Sequence, residues 1–357
     1  MYLRFGFKST LVVSSAKLVE EIWLFHRIMT TGGKSGNFAL YISSTECNSI
    51  DPSGKMNTII CRVGFGKRYD KGGIERSRYL GLLKESRAML SSFSFSDYFP
   101  FASWVDRFTG LLNRLEKTFK ELDSFYQELI DEHLDPNRLK PEEEDIIDVL
   151  LQLLEDCDFP FNLNIDHIKA ILMNVFVAGT EATAATVIWV MSFLMKYPKC
   201  LKKTQAEVRD LIGKKGFVNE DDVQGLTYLK AVIKETFRLQ PTAPLLVPRE
   251  TLGKCNIGKN LETWENPEVF SPERFIGYFI DYKGLHYELI PFGAGRRICP
   301  GMRMGVATVE LALANLLYNF DWEMAIGMNK EDLDFEAISG ITAHKKNALT
   351  LKKNISD

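Results

Sequence analysis

This sequence predicts a mainly α fold with a minor β region, on three observations. Apolar residues recur at helical spacing through most of the chain, one stretch (168–195) is apolar almost throughout, and extended runs are few and short. At 357 residues and 45% hydrophobic content the chain can bury a large core, and no internal repeat divides it. The organisation read from these features is one continuous unit, 1–357, in which 30–57 stands apart.

Taken in order, residues 11–15 form a short extended run and 16–25 a helix. From 30 to 57 the composition turns to Gly, Ser, Thr, Asn and Lys, with weak periodicity that reads as irregular or foreign to its surroundings. Helix resumes over 58–64, 77–93 and 101–133, the last as one or two amphipathic helices that Asp135-Pro136-Asn137 ends. A charged loop, 140–144, opens as a solvated helix start onto a helix from Asp145. Helices follow over 168–195, 198–212 and 226–239, and Pro241 must stop the last because proline removes a backbone donor. Residues 306–317 complete the helical series.

The net charge of -3 argues against a nucleic-acid surface. Six dispersed cysteines without a Cys-x-x-Cys pair indicate a reducing compartment rather than a disulfide framework. The stretch 1–8 is too polar for a membrane anchor or secretory leader. Residues 168–195 could cross a bilayer by length, yet Glu181 lies at the middle and Lys169 near the start, so a buried central helix is the preferred reading.

Chemistry concentrates in the run Phe292-Gly293-Ala294-Gly295-Arg296-Arg297-Ile298-Cys299-Pro300-Gly301. A metal-binding thiolate must be deprotonated and reachable. Gly293 and Gly295 allow a sharp turn and close approach to a flat macrocycle, Arg297 offers a planar cation, Phe292 can shield the sulfur, and the helix beyond Gly301 sets a positive dipole end nearby. Upstream, Glu235 and Arg238 share a helix face, and Pro272-Glu273-Arg274-Phe275 adds a second arginine. Ala178-Gly179-Thr180-Glu181-Ala182-Thr183 puts a glycine and a carboxylate inside an apolar helix, where both are costly. Gly32-Gly33-Lys34-Ser35 lacks the first glycine of a P-loop, and no His-Glu-x-x-His or histidine cluster occurs.

The cysteine run resembles the Phe-x-x-Gly-x-Arg-x-Cys-x-Gly signature of the cytochrome P450 family of haem-thiolate monooxygenases, with Phe292, Gly295, Arg297, Cys299 and Gly301 at its fixed positions. The other two motifs precede it in the family's order. The resemblance is closest to plant microsomal members and implies the cytochrome P450 fold, incomplete. It implies heme b with Cys299 as the iron ligand, Arg297 and Arg249 on propionates, and Glu235, Arg238 and Arg274 as a buried structural network. It also implies residues 243–246 along the pocket and Glu181 with Thr180 or Thr183 in proton delivery. For Arg249 a solvated surface turn is the other reading. The implied reaction inserts one atom of dioxygen into a small apolar substrate, with electrons from a separate NADPH-dependent flavoprotein reductase, at the cytosolic face of the endoplasmic reticulum membrane.

Three departures accompany the resemblance. Ala182 stands where the family has a threonine that bonds oxygen. The resemblance implies a helix in the first third whose arginine binds a propionate, and the irregular stretch 30–56 stands where that helix should lie. Residues 258–262 pass abruptly between two regions normally separated by β structure, leaving 37 positions from Glu235 to Pro272. The missing segments keep open a truncated family member that binds haem poorly or not at all, and Ala182 keeps open a haem-thiolate isomerase or dehydratase.

Overall fold

A computed structural model describes residues 2–5, 8–11, 28–29, 61, 63–65, 74–90, 92–138, 144–156, 161–246, 250–251, 264–325, 327–338 and 342–355. The expected helix 16–25, the irregular stretch 30–57, Arg249 and the junction 258–262 lie outside the described residues. Two compact units emerge: 51–181 with 37–40, and 182–357 with 1–36 and 41–50.

The first unit is helical. It contains α1 (Ile74–Leu90), the short α2 (Phe95–Tyr98) and α3 (Ser103–Phe108), α4 (Leu111–Leu134), α5 (Ile146–Glu155) and the first part of α6 (Ile165–Lys196). Gly110, at φ 75°, separates α3 from α4, so the periodic stretch 101–133 is broken by a residue that tolerates the left-handed conformation. Thr118, Leu122, Phe125, Tyr126, Leu129 and Ile130 are the buried positions of α4, and their spacing of three and four residues makes one continuous inward stripe. That stripe joins Cys61, Phe65, Tyr79, Ile147 and Phe176 in one core. Tyr79 meets Phe176 edge to face at 4.9 Å.

The start of α5 is solvated at Glu144, but Asp145 is buried. Its carboxylate caps the helix by accepting from the backbone of Ile147 and Asp148, and Asp148 reciprocates toward the Asp145 amide. Asp145 Oδ2 also lies 2.8 Å from His133 Nε2 and accepts from Arg138 at 3.3 Å, while Arg138 donates to Asp148 at 2.5 Å. His133, Asp145 and Asp148 are thus grouped closely enough to hold a metal ion, a cluster of one histidine with two carboxylates that sequence spacing did not show. Arg138 supplies the cation that an ion would otherwise provide.

The second unit holds the remainder of α6, with α7 (Pro198–Ile212), α8 (Glu220–Val223), α9 (Thr227–Leu239) and α10 (Met302–Asn319). Val190, Leu194, Val208, Leu229, Val232, Leu313 and Leu317 form its fully buried centre. Among the described residues the β structure is four two-stranded antiparallel sheets: β1 (Tyr2–Phe5) with β2 (Lys8–Leu11), β3 (Ile28–Met29) with β4 (Glu250–Thr251), β5 (Phe320–Met324) with β8 (Leu351–Ile355), and β6 (Ala337–Ile338) with β7 (His344–Lys345). In the longest of these, Phe320 pairs with Ile355 and Met324 with Leu351. Trp189 Nε1 donates to the Ala343 carbonyl, and the Ala343 amide donates to Thr242 O, so one residue of a C-terminal turn ties down both α6 and the proline-rich segment. Among the described residues α6 is the one helix long and apolar enough to cross a membrane, and half of its most apolar stretch is buried, as in a core helix.

Candidate functional site

The cysteine loop is built by turns that require glycine. Gly293 and Gly295 adopt φ values of 74° and 68°, where a side chain would be strained. A single 3-10 turn, Gly295–Arg297, follows, and the loop closes where the Cys299 amide donates to Phe292 O at 3.0 Å. Ala294 is fully buried beneath the turn, whereas Cys299 is exposed on its outer side. Gly301 opens α10 without a side-chain cap. The thiol therefore stands two residues before a helix N-terminus, whose amides and dipole favour an anion. A Cβ on Gly301 would lie 3.9 Å from Cys299 Sγ, an ordinary contact, so space alone does not require glycine there.

Phe292 packs edge to face on Phe237 at 5.4 Å and tilts against Tyr282 at 5.7 Å, so its ring anchors the loop to α9. Arg297 is exposed, and its guanidinium has no hydrogen-bond or ion-pair partner among the described residues. A soft thiol donor on a rigid glycine-shaped loop, a helix N-terminus and an unengaged cation together fit a haem bearing an anionic edge.

The structure brings Glu235, Arg238 and Arg274 together. Glu235 is fully buried and accepts from Arg238 Nε at 2.8 Å and Nη2 at 3.0 Å, a bidentate pair. It accepts further from Arg274 Nε at 3.0 Å and the Ser271 amide at 2.8 Å. The remaining guanidinium donors are spent on backbone carbonyls: Arg238 on Pro267 and Val269, Arg274 on Glu265, Asn266 and Val269. The ring of Trp264 lies under both cations, at 5.5 and 6.0 Å. Burial of two cations with one anion is tolerable here because these donors find acceptors. The network fixes the loop 264–275 against α9.

Thr180, Glu181 and Thr183 are all buried on α6. α6 runs unbroken from Ile165 to Lys196, through Gly179. Ala178, Ala182, Ala184 and Ala185 surround the glycine with the strongest helix former. At about 100° per residue, Thr180 lies about 200° round the helix from Ala182 and Thr183 about 100°. Neither shares the face of Ala182. Thr186, one turn on, does share it, and its hydroxyl donates to the Ala182 carbonyl at 2.8 Å. Its signal in the sequence was the i, i+4 spacing alone. Thr180 Oγ1 is buried and has no hydrogen-bond partner among the described residues.

Three further residues at the cysteine loop escaped the sequence reading. Gly284, at φ 81°, would meet Ile298 Cδ1 at 2.9 Å and the Ala294 Cα at 3.1 Å if it carried a Cβ, so the loop seats directly on this glycine. Tyr282 braces Phe292, and burial, with Glu310 and Asp281 nearby, pushes its phenol above its usual range. Glu310 of α10 is buried, which pushes its carboxyl up against the opposing pull of Lys230 and Lys234. A carboxylate inside an apolar helical run was its signal, the same one that drew attention to Glu181.

Comparison with known proteins identifies the family. The description "Cytochrome P450" belongs to the family model that matches residues 53–259 and 253–351, two pieces that overlap in the region of the proposed deletion. The chain is similar to 5-OH-xanthotoxin synthase of Pastinaca sativa, at 47% identity over 87% of this chain and 66% of that protein. It is similar to 6,7,8-trihydroxycoumarin synthase of the same plant, at 49% identity over 87% and 66% of the respective lengths. Strychnine-11-hydroxylase of Strychnos nux-vomica is 42% identical over 83% of this chain and 62% of its own length. The chain thus spans slightly less than two thirds of these relatives. With the family model covering most of its length, the chain belongs to the cytochrome P450 family.

Proposed function

We propose that this protein is a haem-thiolate monooxygenase acting on a small apolar plant specialised metabolite, of the kind named in the coumarin and xanthotoxin relatives. The observation that carries the reading is the cysteine loop, in which an exposed thiol is presented by left-handed glycines beside a helix N-terminus. Cys299 is the iron ligand of heme b, Arg297 faces a propionate with Arg249, and Glu235, Arg238 and Arg274 hold the scaffold behind the loop. When bound, haem with a thiolate ligand supplies the activation of dioxygen that lets one oxygen atom enter the substrate. Glu181 holds and passes a proton, with Thr180 or Thr183 as its hydroxyl partner. Electrons come from a separate NADPH-dependent flavoprotein reductase, and the protein works at the cytosolic face of the endoplasmic reticulum membrane.

One observation favours a second reading, a family member that binds haem weakly or not at all: the family match comes in two pieces rather than one. Reduction of the purified chain under carbon monoxide separates the two. A strongly red-shifted Soret band that Cys299→Ser abolishes is the expected result. Absence of any haem uptake favours the second reading, and an unchanged band in Cys299→Ser removes Cys299 as ligand.

A further inference from the structure

We propose that the turn 281–286 is a seat that sets where the Cys299 thiol stands, with Gly284 as its positioning residue and His286 as the latch that keeps it closed. The inference rests on Cys299 being the iron ligand, as proposed above, and assigns that ligand a support outside its own loop.

Gly284 touches the cysteine loop at both ends. It is buried, and a Cβ on it would lie 3.2 Å from the Gly293 carbonyl oxygen and 3.1 Å from the Ala294 Cα, where the loop begins. The same Cβ would lie 2.9 Å from Ile298 Cδ1, and Ile298 directly precedes Cys299. Two of these three neighbours are backbone atoms, which cannot rotate away as a side chain can. Gly110, Gly213, Gly216, Gly277 and Gly327 also have positive φ, yet a Cβ on any of them meets nothing within 4 Å. Gly284 therefore answers to close approach as well as to its φ of 81°.

The magnitude decides what this approach does. These distances fall short of ordinary van der Waals contact, 3.4–4 Å, by a few tenths of an ångström, so a methyl group at 284 has to displace the loop by about that much. A metal ligand needs its productive position to within about 0.5 Å. The smallest side chain at 284 thus uses up most of that tolerance.

The turn itself is held shut. The Asp281 amide donates to His286 Nδ1 at 2.9 Å, a bond that spans five positions and encloses Gly284. Tyr282 meets Phe237 of α9 at 5.9 Å and Phe292 at 5.7 Å, and Lys234 of α9 donates to the Ile280 carbonyl at 3.1 Å. The turn is fixed to α9, and the cysteine loop rests on the turn.

Gly284→Ala, His286→Leu and His286→Asn test the seat, with Gly277→Ala as the control for a side chain at positive φ alone. The first readout is hydrogen exchange in the haem-free full chain, at the Ile298 and Cys299 amides that close the loop onto Gly295 and Phe292. Exchange about tenfold faster is expected there in Gly284→Ala and His286→Leu, with the α9 amides unchanged. His286→Asn keeps an acceptor where Nδ1 stands and should match the parent, as should Gly277→Ala.

The second readout is the carbon monoxide complex of the reduced, haem-loaded variants at equal haem content. Gly284→Ala and His286→Leu should each lose about half or more of the strongly red-shifted thiolate-type Soret band. Gly277→Ala and His286→Asn should keep it, so lost stability alone does not account for the change. Parent exchange rates in both Gly284→Ala and His286→Leu overturn the proposal, and so does a parent band in both. A Gly277→Ala variant as disturbed as Gly284→Ala overturns it too, because strain in φ would then explain the effect. If Gly284→Ala does not fold, the two His286 variants decide. A parent chain that takes up no haem sinks the iron-ligand reading, and the exchange experiment still decides the seat.

Discussion

Two buried carboxylates organise this molecule in opposite ways. Glu235 gathers donors from as far as 39 positions along the chain and draws an aromatic residue inward, with Trp264 lying under the two arginines it binds. Asp106 gathers donors from within a dozen positions and turns the aromatic residues outward, leaving Phe101, Trp104 and Phe108 in solvent. The difference lies in the donors. Guanidinium groups bring their own charge and apolar faces, so the shell around Glu235 has to be buried with it. Backbone amides and a serine hydroxyl satisfy Asp106 without occupying the space outside the turn. One carboxylate therefore makes a scaffold behind the cysteine loop, and the other makes a protruding surface.

The comparison breaks most sharply at Glu235. Glu235→Ala leaves two guanidinium groups facing each other without their anion, and a loss of about 3–5 kcal/mol in urea unfolding is expected. A loss near that of an exposed pair, below about 1 kcal/mol, would mean that water replaces the carboxylate. Asp106→Ala removes three hydrogen bonds of which two are to backbone amides, and about 1–3 kcal/mol should be lost. Hydrogen exchange at Phe95 and Ser96 is the local check, with protection falling there before it falls in α4. Because the folded carboxyl of Asp106 is held below its usual range, its contribution is complete above the ordinary aspartate value and disappears as pH falls through the lowered one.

Glu310 supplies the smallest and most diagnostic effect, since its sign is reversed. Burial raises its carboxyl above the ordinary 4.5, so ionisation costs the fold stability as pH climbs from there through the raised value. Glu310→Gln should unfold later than the parent at neutral pH by no more than about 1 kcal/mol, with the difference closing in acid. A midpoint lowered at neutral pH would instead assign the ionised carboxylate a favourable pairing with Lys230 or Lys234.

The regular helices were legible because each carries its own signal. Pro198 opens α7, and α9 stops before the proline at 241, as the sequence reading required. Less legible was the division of 101–133, where Gly110 breaks a periodicity that continues on both sides. The short strands were mostly unread, because β5 and β8 are 5 residues each and pair across 26 intervening positions. Their pairing partner is decided by tertiary packing rather than by local alternation.

By itself, the sequence determined that a cysteine sits between glycines, arginine and proline ahead of a helix, and that an acid-and-arginine pair precedes it. Those statements depend on residue type and spacing, which covalent order fixes. Only the tertiary structure decided that Gly284 seats the cysteine loop, that Thr186 rather than Thr180 or Thr183 shares the face of Ala182, and that Asp106 points inward while Trp104 points out. Each of these depends on which side of an element meets its neighbour, and that is settled by packing, where a difference of one residue in register reverses the answer.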